Sequence, residues 1–198
     1  MRRPEPGARA AGRARRDPDA RRGAVSGRTR VEDGRVRIRA REPGDAAAIV
    51  EVLRAIVADG RGAVMRPEDV PDAARYRERL QESEGELGLV LELDGELVAE
   101  GAVSRFGGAL IRHVGLLSMG VHPSAQGLGL GRRMLEALVE GAAHQGVGRL
   151  ELYVRADNAR ARRLYESSGF ELEGIRRRFV RLEDGTELDD CIYVRFLD

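Results

Sequence analysis

The segment best suited to chemistry is Ser124-Ala125-Gln126-Gly127-Leu128-Gly129-Leu130-Gly131. An apolar run with strand character, Leu116 to Val121, precedes it. After it, Met134, Leu135, Leu138 and Val139 recur at helical spacing. A strand, a glycine-rich turn and a helix in that order make a cradle for an anion. The first N–H groups of a helix have no intrahelical partner, the helix dipole is positive there, and glycines let the backbone approach a phosphate. The pattern predicts a site for a phosphorylated cofactor; the plainer alternative is a flexible turn opening a surface helix.

The glycines at 127, 129 and 131 separate three cradles. A Walker A loop needs Lys and then Ser or Thr after its last glycine, but Arg132-Arg133 follows Gly131 and the chain has no lysine. A dinucleotide fingerprint needs G-x-G-x-x-G near the start of a βαβ unit, whereas position 132 is Arg and the turn lies two thirds of the way along the chain. The pyrophosphate loop of an acyl-CoA transferase is the remaining option.

The elements that must position this turn follow from pattern. Val36 to Ala40 alternates as a first strand, and Ile49, Val50, Leu53, Ile56 and Val57 share one face of a helix that starts near Asp45. Residues 59–71, with two glycines and two prolines, are expected to be a loop. A charged helix over 72–83 ends by Gly85. Strands at 87–93 and 96–104 flank Asp94-Gly95, a hairpin signal. A fourth strand is expected over 110–121, a helix over 130–145, a strand over 149–154 and a helix over 159–168. A closing hairpin turns at Asp184-Gly185. The order β-α-α-β-β-β-α-β-α-β-β describes an α/β domain with a mixed sheet and helices on both faces.

Val121-His122-Pro123 followed by Gln126-Gly127-Leu128-Gly129-Leu130-Gly131 resembles the GNAT superfamily of N-acetyltransferases, whose signature is (Arg/Gln)-x-x-Gly-x-(Gly/Ala). Gln126, Gly129 and Gly131 fit it. A second block, Leu150 to Val154 and then Asn158, Ala161, Leu164, Tyr165, Gly169 and Phe170, is similar to the superfamily's next strand and helix. The resemblance spans roughly residues 35–197. It implies a mostly antiparallel sheet of about seven strands, with strands four and five splayed to admit CoA and the 59–71 loop bordering the acceptor.

It also implies acetyl-CoA as cosubstrate and a division of labour. The backbone of Gln126, Gly127, Leu128, Gly129, Leu130 and Gly131 would grip the pyrophosphate, with charge from Arg132. Main chain at Met119, Gly120 and Val121 would pair with the pantetheine arm and polarise the thioester. Tyr165, two turns beyond Asn158 on one helical face, would protonate the leaving thiolate, and Asn158 would contact the pantetheine region. The bland alternatives are a packing tyrosine and an N-cap asparagine. Many relatives carry a carboxylate base on the fourth strand, where this chain has Leu116-Leu117-Ser118. Glu100 on the third strand is the candidate in its place; His113, expected on the fourth strand, is a weaker one. A weak base favours an α-amine, which is substantially neutral at physiological pH, over a lysine amine.

Composition bounds the rest. Of the 198 residues 42% are hydrophobic, enough for one domain with a real core. The net charge of +1 hides an asymmetry: residues 1–30 hold 10 Arg against 3 acids, and the remainder 24 Arg against 30 acids. A mildly acidic domain suits a cationic acceptor, either a small molecule or a peptide amine, and argues against nucleic acid except through the tail. Residues 1–33, almost devoid of large apolar side chains, are expected to be a disordered tail before a 34–198 domain. Its two readings are an electrostatic anchor and a solvated extension. Deleting residues 1–30 is therefore expected to leave the melting temperature and small-amine turnover unchanged, by scanning calorimetry and thiol release. A single cysteine, Cys191, excludes an internal disulfide framework and suits a cytoplasmic setting. No apolar run reaches membrane-spanning length, and Arg2-Arg3 lacks the apolar stretch of an export signal. Three histidines and one cysteine show no ligand spacing, so no metal is expected. A homodimer is left open.

Overall fold

The computed structural model describes residues 33–83 and 86–197. The Arg-rich tail and the predicted helix stop at Gly85 lie outside them. Seven strands form one sheet in the order β1-β2-β3-β4-β5-β7-β6. They are β1 (Val36–Ala40), β2 (Leu87–Leu93), β3 (Glu96–Arg105), β4 (Val114–Val121), β5 (Arg149–Arg155), β6 (Glu171–Arg181) and β7 (Glu187–Phe196). The helices are α1 (Ala46–Asp59), α2 (Ala73–Glu82), α3 (Leu130–His144) and α4 (Ala159–Glu166). Every strand pair is antiparallel except β4–β5. The mixed α/β sheet with helices on both faces is thus as the sequence predicts.

Two apolar clusters hold the layers. On one face Ala46, Ile49, Val50 and Val57 of α1 meet Tyr76 of α2 and Val90 of β2. On the other, α3 buries Leu130, Met134, Leu135, Leu138, Val139 and Ala142 against β2 to β5 and β7. Each such side chain contributes about 1.5–3 kcal/mol when fully buried. Removing apolar area from water on this scale seats α3, and with it the glycine turn, on the sheet.

The fourth strand is shorter than predicted. It begins at Val114, and Leu110 to His113 form a turn in which Ile111 donates to Gly108 and Val114 donates to Ile111. Gly107-Gly108 breaks the extended run, and Leu110 projects into solvent. His113 is consequently off the strand; its carbonyl accepts from the backbone N–H groups of Gly148 and Arg149.

β4 and β5 pair in parallel over only three positions, Val114 with Arg149, Gly115 with Leu150 and Leu116 with Glu151. Beyond Leu116 the strands part, and the β5-facing edge of β4 is open as far as Val121. This is the expected splay.

Candidate active site

A cleft of about 420 Å³ opens where β4 and β5 part, and both faces of the sheet line it. From the α1 side come Ile56, Asp59, Arg61 and Gly62; from the α3 and α4 side come the glycine turn, Ala161, Leu164 and Tyr165. β4 supplies Met119, Gly120 and Val121, and β5 supplies Tyr153 and Val154. At Gly120 a Cβ would stand 2.5 Å from Ile56 Cδ1, so a side chain there would displace the tip of Ile56. The cleft is thus lined from both faces of the sheet.

The cradle is built at the mouth on the α3 side. Gly127 and Gly129 have φ of +82° and +84°, the left-handed region that costs other residues about 1–2 kcal/mol. Gly129 then caps α3, its carbonyl accepting from Arg132 and Arg133. Gln126 donates its side-chain amide to the carbonyl of Val121 at 2.9 Å, which ties the turn to the end of β4. Among the described residues the backbone N–H groups of Gly127 through Gly131 take no acceptor. A row of open donors at the positive end of a 15-residue helix fits a pyrophosphate. Leu128 and Leu130 offer only backbone here, because both side chains pack into the core. Arg132 lines the cleft and reaches the α4 terminus, donating to Ser167 Oγ at 2.7 Å.

Tyr165 lies deep in the cleft, its ring edge-on to Phe170 with centroids 6.0 Å apart. Burial pushes its phenol up to about 12, so it stays protonated across physiological pH. Among the described residues nothing hydrogen-bonds its hydroxyl, whose proton is uncommitted. Asn158 caps α4, accepting from Ala161 N–H at 3.1 Å, and its amide abuts Gly62 of the α1–α2 loop. The cap and the cleft position coexist.

Two residues not predicted from the sequence border this arrangement. Arg155, buried at the end of β5, donates to the carbonyls of Gly60 and Ala63 at 3.3 and 2.9 Å and pairs with Asp157. It straps the α1–α2 loop across the cleft. Tyr153, exposed on the opposite face from Leu152, is the other. Both belong to the alternation Arg149, Glu151, Tyr153, Arg155, the polar complement of the buried Leu150, Leu152 and Val154.

Glu100 is not brought to Tyr165. It pairs in register with Gly120, yet it is absent from the cleft wall. Its side chain is buried, with Arg41 Nη1 3.6 Å from an Oε2 that accepts no hydrogen bond. Burial pushes its carboxyl above the usual range, against the opposing pull of Arg41 and Arg79. A raised folded-state value favours the native state at low pH and disfavours it as pH climbs through that value. Glu100→Gln is therefore expected to melt higher than wild type near neutral pH and to flatten the pH dependence of the melting temperature above about pH 4.3. Unchanged melting with lost turnover would instead place Glu100 in the chemistry. Cys191 is a buried core residue of β7, its thiol pushed up by burial. Among the described residues no group of His, Cys, Asp and Glu could hold a metal, and no helix is long and apolar enough to cross a membrane.

The model of the acetyltransferase (GNAT) family matches residues 56–170, more than half of the chain, and the chain belongs to that family. It is 54% identical over 52 residues to a mycothiol acetyltransferase of Beutenbergia cavernae, 26% of this chain and 18% of that one. It is 46% identical over 72 residues to the [ribosomal protein bS18]-alanine N-acetyltransferase of Escherichia coli K12, 36% of this chain and 49% of the relative. The chain thus spans half or less of these curated relatives. Among solved structures, yncA of Salmonella typhimurium, an acetyltransferase with its cofactor acetyl-CoA, superposes with a TM-score of 0.75 at 25% identity, covering 83% of this chain and 95% of that one.

Proposed function

We propose that this chain is an N-acetyltransferase that moves an acetyl group from acetyl-CoA to a primary amine of a small molecule or amino acid. The observation that carries the proposal is the row of open N–H groups from Gly127 to Gly131 in one cleft with the uncommitted Tyr165 hydroxyl. In this reading the cradle binds the pyrophosphate, the open edge of β4 at Met119 to Val121 aligns the pantetheine arm, and Asn158 lies beside it. A backbone N–H of that edge polarises the thioester carbonyl. Tyr165 gives its phenolic proton to the departing sulfur. Acetyl-CoA, when bound, supplies the activated acyl group. The setting is cytoplasmic, and the catalytic domain is residues 34–198, with residues 1–33 a basic tail in sequence.

A second reading makes the acceptor a protein N-terminus of the ribosomal type, as the activity of the Escherichia coli relative suggests. The basic tail would then dock the ribosomal partner electrostatically. Thiol release from acetyl-CoA over a panel of amino acids, small amines and alanine-initiated peptides separates the readings. Turnover of free amines supports the first, and turnover confined to peptides the second. Binding without turnover on any amine would leave a non-catalytic acyl-CoA sensor.

A further inference from the structure

The acetyltransferase reading, on which this inference rests, leaves one proton unassigned, the one the attacking amine sheds. The carboxylate in the cleft wall, Asp59, is engaged twice by Arg61 at 2.7 and 2.8 Å, with Arg160 adding its charge, and these hold its carboxyl below the usual range. Such a carboxylate is a poor base. Tyr153 differs. Its hydroxyl donates to Glu151 Oε2 at 3.3 Å, while Glu151 Oε1 takes Arg149 at 2.9 Å. The two oxygens of Glu151 are thereby divided between a guanidinium and a phenol that points its proton at the carboxylate. Among the described residues nothing donates to Tyr153 Oη, and the residue lines the cleft.

The ring is also fixed. Arg176 of β6 lies 4.1 Å from the Tyr153 ring centroid and 3.8 Å from that of Phe179. Arg176 is held in turn by the buried Asp190 of β7. The β6 register shifts between Arg176 and Val180, which brings Phe179 into this stack. Tyr165 presents a donor from the α4 face and Tyr153 an acceptor from the α1 face, in one cleft.

We infer that Tyr153 is a second catalytic tyrosine, taking the proton of the attacking amine, and that Glu151 is the positioning residue that turns its phenol into an acceptor. As the nitrogen–carbon bond forms and the carbon–sulfur bond breaks, Tyr153 Oη takes the N–H proton and passes its own to Glu151 Oε2. Tyr165 delivers its proton to sulfur. Exchange with water removes the proton from Glu151 and restores the one on Tyr165, so the protons balance. The 3.3 Å separation is long for an O–H···O bond, as catalytic hydrogen bonds are before substrate tightens them.

Tyr153→Phe keeps the ring and its stacking on Arg176. It is expected to lower kcat about 10–100-fold on the best amine of the panel. The deficit should narrow as pH rises, because hydroxide then takes the proton of the attacking nitrogen without the phenol; a purely structural role gives a deficit independent of pH. The groups that face this pair are Arg149 from β5, Glu173 and Arg176 from β6, and Asp190 from β7. None of them is altered by the substitution. A readout independent of turnover is the phenol titration by ring-labelled tyrosine NMR. Burial and the Glu151 charge both raise the Tyr153 phenol, so Glu151→Gln is expected to lower it. Wild type and Tyr153→Phe should gain equally in melting temperature from acetyl-CoA. A Tyr153→Phe kcat within about twofold of wild type, a pH-independent deficit, or a phenol unmoved by Glu151→Gln overturns the inference. Absence of any acetyl-CoA stabilisation in wild type is the separate failure of the acetyltransferase reading.

Discussion

Tyr165→Phe is expected to lower kcat by about 10²-fold while leaving the affinity for acetyl-CoA unchanged. General acid catalysis contributes roughly 10²–10⁴-fold, and the lower end applies because a CoA thiolate leaves fairly well without help. The substitution removes one hydroxyl and nothing else. The ring that fills the space between Phe170 and Tyr193 remains, with centroids 6.0 and 6.4 Å away. Because the wild-type hydroxyl has no partner among the described residues, its removal orphans nothing and the fold should be as stable as before. The loss should fall on kcat and kcat/KM alike, the mark of an interaction made in the transition state. A variant within about twofold of wild type would reduce Tyr165 to packing and bring forward the sensor reading.

The second large effect is on binding. Gly129→Val is a poor probe, because at φ +84° a β-branched residue strains the turn whether or not anything binds there. Gly131 is the better position. It is the second residue of α3, and a Cβ there would meet Leu164 Cδ2 at 3.4 Å and Val121 Cγ2 at 3.8 Å, ordinary contact distances. Aspartate in the first turn of a helix is favourable by about 0.3–1 kcal/mol, so the apo protein should be no less stable. The same carboxylate stands among the N–H groups proposed to hold the pyrophosphate. Like charges about 4 Å apart cost roughly 4 kcal/mol at an effective dielectric of 20, less once solvent screens them, so affinity should fall at least about 10²-fold. Saturating acetyl-CoA at about 100 times its dissociation constant gives wild type about 2.7 kcal/mol, roughly 5–10 °C in melting temperature. Gly131→Asp should keep at most about a seventh of that shift. A full shift in the variant would move the pyrophosphate elsewhere.

What was legible in the sequence, and what was not, follows the range of the interactions. The α3 helix and its turn could be read because local signals agree: glycines where the backbone must be left-handed, then Met134, Leu135, Leu138 and Val139 at one helical face. The fourth strand was read too long because Leu110 and Ile111 are apolar, although the Gly107-Gly108 pair ahead of them permits a turn. Alternation along β5 separates Leu152 from Tyr153. Only the parting of β4 from β5, a long-range property, decides that the polar face borders the cleft. Arg155 could not be seen as a strap because its acceptors, Gly60 and Ala63, are more than 90 positions away. Glu100 had the right strand and residue type. Its burial beside Arg41 depends on how the end of β1 is followed by a side chain lying over β2, which no local pattern encodes.

The most direct measurement is a crystal structure of the full chain with acetyl-CoA bound. The account predicts the pyrophosphate against the N–H groups of Gly127 to Gly131, the pantetheine arm along the open edge of β4, and the sulfur within hydrogen-bond reach of the Tyr165 hydroxyl. Acetyl-CoA bound outside the β4–β5 opening, or within it but with its sulfur turned away from Tyr165, would contradict it.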